Sequence, residues 1–151
     1  MQTSQPIVVG VDGSQASLEA LREAGRMAGL MGCPLKAVTT WQLPATPADY
    51  PFPLEQNFEE DARERLAEAV RSVFGEEPPA GLEQVVSVGS PARVLRDLSE
   101  DARLLVVGSR GHGGFVGLML GSVSSAVAAH AKCPVLITHR AGPEPASTPG
   151  G

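Results

Sequence analysis

The sequence predicts an α/β protein: one doubly wound parallel sheet of five strands with helices on both faces. Three observations predict it. Five short apolar runs, each rich in β-branched residues or leucine, recur along the chain. Most of them are continuous rather than alternating, the pattern of strands covered on both faces. Stretches of helical periodicity separate each run from the next. The resulting β-α-β-α-β-α-β-α-β order calls for right-handed crossovers within one sheet.

The first run, Ile7–Val11, leads into Asp12-Gly13-Ser14, which supplies turn and cap chemistry before a helix with Leu18, Leu21, Ala24 and Ala28 on its apolar side. The second run, Leu35–Thr40, is followed by Trp41 and then by Gln42–Glu55, where Pro44, Pro47, Pro51 and Pro53 exclude regular structure. A long loop over the strand ends is a candidate lid. Phe58, Ala62, Leu66, Ala69, Val70 and Val73 then recur at helical spacing, with Glu and Arg on the opposite side. After the third run, Leu82–Val88, a short helix fits Pro91–Glu100, with Ser90 as N-cap and proline at the first helical position. The fourth run, Leu104–Val107, opens into a glycine-rich stretch, a last helix over Ser122–Ala131 and the fifth run, Val135–Thr138. The Pro- and Gly-rich tail Ala141–Gly151 is expected to be disordered, which leaves residues 1–140 as one domain.

A chain of 151 residues is long enough for one domain with a substantial core. Its net charge of −5 argues against nonspecific nucleic-acid binding, which needs a basic face. The same charge does not exclude a nucleotide, because backbone N–H groups hold phosphates without any lysine. Cys33 and Cys133 each stand beside a proline and lack the spacing of a redox or zinc motif, so they are expected to be reduced and buried in a cytoplasmic protein. Met1–Gln5 is polar and the apolar run after Pro6 ends at Asp12, too short for a signal-peptide core or a membrane span. The cytoplasm is the expected location, with no membrane partner.

The stretch that carries chemistry is Val106-Val107-Gly108-Ser109-Arg110-Gly111-His112-Gly113-Gly114, after which Gly121-Ser122 opens the last helix. Glycine at this density admits positive φ and removes the β-carbons that would block close approach. Successive N–H groups in such a loop form an anion-binding concavity, and the unpaired N–H groups of a helix start add to it. The bland alternative is a flexible loop between a strand and a helix. There is no GxxxxGK[ST], and GxGxxG fails because position 116 is valine.

Gly108-x2-Gly111-x9-Gly121-Ser122 resembles the Gly-x2-Gly-x9-Gly-Ser/Thr signature of ATP-binding universal stress proteins. Ile7-Val8-Val9-Gly10-Val11-Asp12-Gly13-Ser14 looks like that family's opening strand and turn, and Val88-Gly89-Ser90-Pro91 like its Gly-x-Pro approach to the third helix. His130-Ala131-Lys132-Cys133-Pro134-Val135-Leu136 is similar to its final helix-to-strand turn, so the likeness runs over about residues 6 to 139. The resemblance implies a Rossmann-like sheet of the adenine nucleotide alpha hydrolase kind, strand order 3-2-1-4-5. It also implies an ATP site at the junction of the first and fourth strands. Gly10, Val11 and Asp12 would border the adenosine, and Thr40 would flank adenine where family members often carry valine. Gly108, Ser109, Gly111, His112 and Gly114 would line the ribose and phosphate path, and Gly121, Ser122 and Val123 would close it. It further implies a homodimer paired through the last strand, Val135–Thr138, which would otherwise be an exposed apolar edge.

Asp12 has two readings: a turn residue beside the first helix, or a site residue bonding ribose or holding Mg²⁺ through water. Arg110 and His112 either contact phosphate or solvate a loop, while His130 and His139 have no partner at ligand spacing. Trp41 is read as a core or rim residue. Ser109, Ser122, Ser124 and Ser125 could accept a phosphoryl group, although helix capping is the commoner use of such serines. Phosphoryl transfer needs a positioned base and charge stabilisation. No lysine lies in the loop and no second acid can be placed near Asp12, so binding is the primary expectation. Slow hydrolysis or autophosphorylation is the alternative, and a nucleotide-free interaction module is a third.

Overall fold

The computed structural model describes residues 5–43, 57–109 and 121–139. In chain order the elements are β1 (Ile7–Gly10), α1 (Gln15–Met31), β2 (Leu35–Trp41), α2 (Phe58–Phe74), β3 (Glu83–Val88), α3 (Pro91–Ser99), β4 (Leu104–Gly108), α4 (Ser122–His130) and β5 (Val135–Thr138). The strands form one parallel sheet in the order β3-β2-β1-β4-β5. Val9 pairs with Ala37 on one side and Val106 on the other, which fixes β1 at the centre.

Period-two alternation splits the strand side chains between two cores. Ile7, Val9, Leu35, Ala37 and Val106 pack under α1 and α2 with Leu21, Ala24, Leu66 and Val70. Val8, Val38, Leu105 and Val107 face the other way, against Val94 and Leu95 of α3 and Val127 of α4. Helix ends follow local chemistry. Ser14 accepts from the Ser17 amide at 3.2 Å to start α1, Asn57 from the Glu60 amide at 3.0 Å to start α2, and Ser90 from the Arg93 amide at 3.4 Å before Pro91 in α3. Gly32 ends α1 in the left-handed region, φ 66°, with its amide on the Ala28 carbonyl.

Several details depart from the sequence reading. Val11 lies beyond β1, although its amide still donates to Val38 at 2.8 Å. Leu82 belongs to a turn, its amide on the Pro79 carbonyl, and α3 stops at Ser99 because the Glu100 amide bonds three residues back to Asp97. Burial on both faces holds for β1 and for most of β2 and β4, but Glu83, Gln84 and Val88 of β3 are exposed and β5 is half-buried throughout. Those two strands are the sheet edges, and α3 lies over β1, β2 and β4 rather than β3. Both cysteines are half-buried rather than buried, since each sits at a turn leading into a strand. Beyond Gln42 and Leu43, both exposed, the expected lid loop lies outside the described residues, as does the tail 141–151. Among the described residues no helix is long and apolar enough to cross a membrane.

Candidate functional site

Strand order reverses next to β1. The chain leaves β1 for β2 on one side, then crosses back from β3 to β4 on the other. After β1 it passes over one face as α1, and after β4 over the opposite face as α4. Diverging crossovers of this kind leave a crevice outside the carboxyl ends of the two strands.

The β1 tip is held from three directions. The Val11 side chain is buried, and its carbonyl accepts the buried Thr39 hydroxyl at 2.8 Å. The Asp12 amide donates to Ser17 Oγ at 3.2 Å, and that hydroxyl donates to the Ser14 carbonyl at 3.0 Å. One Asp12 carboxylate oxygen accepts the Ser14 amide at 2.9 Å across Gly13, whose φ of 87° the turn requires. The turn role of Asp12 is therefore realised, with the half-buried carboxylate at the α1 amino end. Gly10 packs tightly below it, where a Cβ would stand 2.9 Å from Leu95 Cδ1.

The β4 tip meets the same helix. A Cβ on Gly108 would lie 2.8 Å from the Ala16 carbonyl oxygen and 2.9 Å from its carbon, so only glycine lets the strand end and the first turn of α1 touch. The Gly108 carbonyl accepts the Ser124 hydroxyl from α4. Ser109 is buried; its amide donates to Thr138 at 2.8 Å and its carbonyl accepts the Gly121 amide at 2.6 Å. Ser109 and Gly121 are thereby tied together. These bonds also spend the Ser109 and Gly121 amides inside the protein, which removes two of the N–H groups that the sequence reading assigned to an anion. The physical reason is that a strand end beside β5 completes its ladder before it can serve a ligand.

What remains is the start of α4. Gly121 is the N-cap with no side-chain cap, and its carbonyl takes the Ser125 amide. The amides of Ser122, Val123 and Ser124 have no acceptor among the described residues, as geometry dictates for a first helical turn. Ser122 is exposed, whereas the Val123 side chain packs into the α3–α4 core and leaves only its amide to the crevice. The Thr138 hydroxyl oxygen beside this junction is buried with no hydrogen-bond partner among the described residues, the sort of orphan that a polar ligand would satisfy.

Gly10, Val11, Asp12, Gly108, Ser109, Gly121, Ser122 and Val123 are thus gathered around one strand junction. Thr40 sits one strand away, half-buried and paired with Ser87. Gly111, His112 and Gly114, with Arg110, lie outside the described residues. Sequence reasoning missed Ser17 and Thr39 and gave Ser124 a different role; these hydroxyls hold the two tips in place. The Ser14-x2-Ser17 spacing carried a usable signal for the first, while nothing in the strand pattern separates Thr39 from Thr40. Among the described residues no group of three or more His, Cys, Asp or Glu could hold a metal ion.

The profile of the universal stress protein family matches residues 3–139. A universal stress protein of Mycobacterium tuberculosis is 37% identical over 137 residues, which is 87% of this chain and 43% of that protein. The chain therefore spans less than half the length of the curated relatives it matches. Among solved structures, a universal stress protein in complex with cAMP is 30% identical with a TM-score of 0.69, covering 93% of this chain and 100% of its own. One from Archaeoglobus fulgidus in complex with dAMP is 28% identical with a TM-score of 0.63, covering 90% and 98%.

Proposed function

The chain belongs to the universal stress protein family, and we propose that it binds an adenine nucleotide, ATP, in the crevice between β1 and β4. The observation that carries this reading is the pair of locked strand tips with three amides beside them, at Ser122, Val123 and Ser124, that have no acceptor among the described residues. A helix start of this kind takes a phosphate without needing a lysine. Two similar solved structures are complexes with cAMP and dAMP, which supports a nucleotide as the ligand class. The Gly108-x2-Gly111-x9-Gly121-Ser122 spacing supports a polyphosphate rather than a monophosphate.

In this reading Gly10, Val11 and Asp12 border the adenosine and Thr40 flanks adenine. Gly108, Ser109, Gly111, His112 and Gly114 follow the ribose and phosphates, with Gly121, Ser122 and Val123 at the far end. The donor set fits a phosphate better than a resident metal. Asp12 is the one acid of the crevice among the described residues and already accepts the Ser14 amide, so Mg²⁺ would arrive on the nucleotide and meet Asp12 through water. The metal would supply charge neutralisation on the phosphates. Val11 and Ser109 are buried, and they exclude water from the floor of the crevice.

The protein acts in this account as a sensor or buffer of nucleotide, paired as a homodimer through β5. That strand is bonded to β4 alone and is half-buried along its length, so a second copy can complete its ladder. We place it in the cytoplasm, where two unpaired thiols are the norm. Isothermal titration of the nucleotide-stripped chain with ATP and Mg²⁺, beside cAMP and AMP, tests the reading. Saturable one-site ATP binding is expected, and no heat with any of the three ligands removes it. Phosphoserine and ADP in place of intact ATP, seen by mass spectrometry, would turn the protein from a binder into a slow enzyme.

A further inference from the structure

A second concavity lies on the outer face, between α3 and α4. Ser90, Ala92, Arg93, Arg96, Ala126 and His130 line a groove of about 310 Å³, and none of them belongs to the nucleotide crevice. Among the described residues the lining carries cations and no carboxylate, in a chain whose net charge is −5. The two alanines are half-buried and form the floor, while both arginines and the histidine stand exposed around it.

Arg93 is placed against its own interest. A Cβ on Gly89 would fall 2.5 Å from Arg93 Nη2, so the guanidinium folds back across the turn that precedes α3. Gly89, with φ 134°, leaves the room. A cation at the amino end of a helix opposes the positive end of the dipole, and the first turn of α3 holds no acid to offset it. Arg93 makes no ion pair among the described residues. Arg96 approaches only Asp97, at 3.6 Å with both side chains exposed, a pairing of little strength. An anion in the groove would be attracted to both guanidiniums and to the amino end of α3 at once. Guanidinium forks match phosphate and carboxylate oxygens, and Ser90 adds a hydroxyl that still has its proton to give. The volume stands at the lower end of the range for small-molecule sites, so it suits a phosphate head rather than a buried nucleotide.

We propose that this groove binds a phosphate dianion, free or as a monoester, between Arg93, Arg96 and Ser90 of one helix and His130 of the other. The full chain, labelled with ¹⁵N, is titrated with inorganic phosphate at constant ionic strength, with chloride as control. Amides of Ser90, Ala92, Arg93 and Ala126–His130 are expected to shift saturably, and the exposed double substitution Arg93→Gln/Arg96→Gln to weaken binding tenfold or more. A matched titration with O-phosphoserine separates the sources: tighter binding assigns the site to a monoester, equal binding to the free ion. Shifts confined to Ser122–Ser124 would report the nucleotide crevice instead and overturn the proposal. So would an affinity that the double substitution leaves unchanged.

Discussion

Replacing Gly108 by alanine should push the amino end of α1 away from the end of β4. The added methyl would lie 2.8 Å from the Ala16 carbonyl oxygen and 2.9 Å from its carbon and Cβ, against an ordinary contact of 3.4 Å or more. Two of those three neighbours are backbone atoms, so no rotamer change relieves the overlap and the helix itself must move by about half an ångström. Overpacking of this size costs about 1–3 kcal/mol. For a domain of this length that lowers the melting temperature by roughly 2–12 °C. Urea unfolding with a two-state fit reads the loss directly. Gly29 supplies the control: it lies in α1 with nothing within 4 Å of an added Cβ. Gly29→Ala is expected to raise stability by about 0.5–1 kcal/mol, because helical glycine carries excess chain entropy. If Gly108→Ala were as stable as the parent while Gly29→Ala behaved as expected, the close contact between the two tips would be refuted.

The other predictions concern the hydroxyls and one thiol. Ser17→Ala leaves the Asp12 amide without its 3.2 Å acceptor and should cost about 1–3 kcal/mol by urea unfolding, with weaker ATP binding by calorimetry. Thr39→Val keeps the shape but strips the buried Val11 carbonyl of its donor, so a loss of similar size is expected, and a neutral result would mean water replaces the hydroxyl. Burial pushes the Cys133 thiol above its ordinary range, with the Leu105 backbone amide pulling weakly the other way. The folded protein therefore holds that proton to higher pH than the unfolded chain, so stability falls as pH rises from the ordinary thiol value through the raised one. Iodoacetamide should accordingly alkylate Cys133 more slowly at pH 8.5 in the folded protein than after urea unfolding; equal rates would contradict this.

Element order was legible in the sequence because continuous apolar runs and helical spacing are local patterns. The capping residues Ser14 and Ser90 were legible for the same reason. What stayed hidden depended on the neighbours. The exposure of Glu83 and Gln84 follows from β3 being an edge, which only the strand order fixes. At the site, glycine spacing pointed to the β4 end and to the start of α4, but it did not reveal which amides the protein keeps. Ser109 spends its amide on Thr138 and Gly121 spends its own on Ser109, a consequence of the β5 ladder and of residues 109 and 121 meeting. The hydroxyl of Ser124 looked like a phosphoryl acceptor or a cap and instead holds the Gly108 carbonyl, a contact across sixteen residues that no window shows.

Diffraction from crystals grown with ATP and Mg²⁺ bears most directly on the central claim. Density for the triphosphate should lie on the amides of Ser122, Val123 and Ser124, with the adenosine beside Gly10–Asp12. A nucleotide bound elsewhere, or an α4 amino end whose amides have turned to protein acceptors, would contradict it.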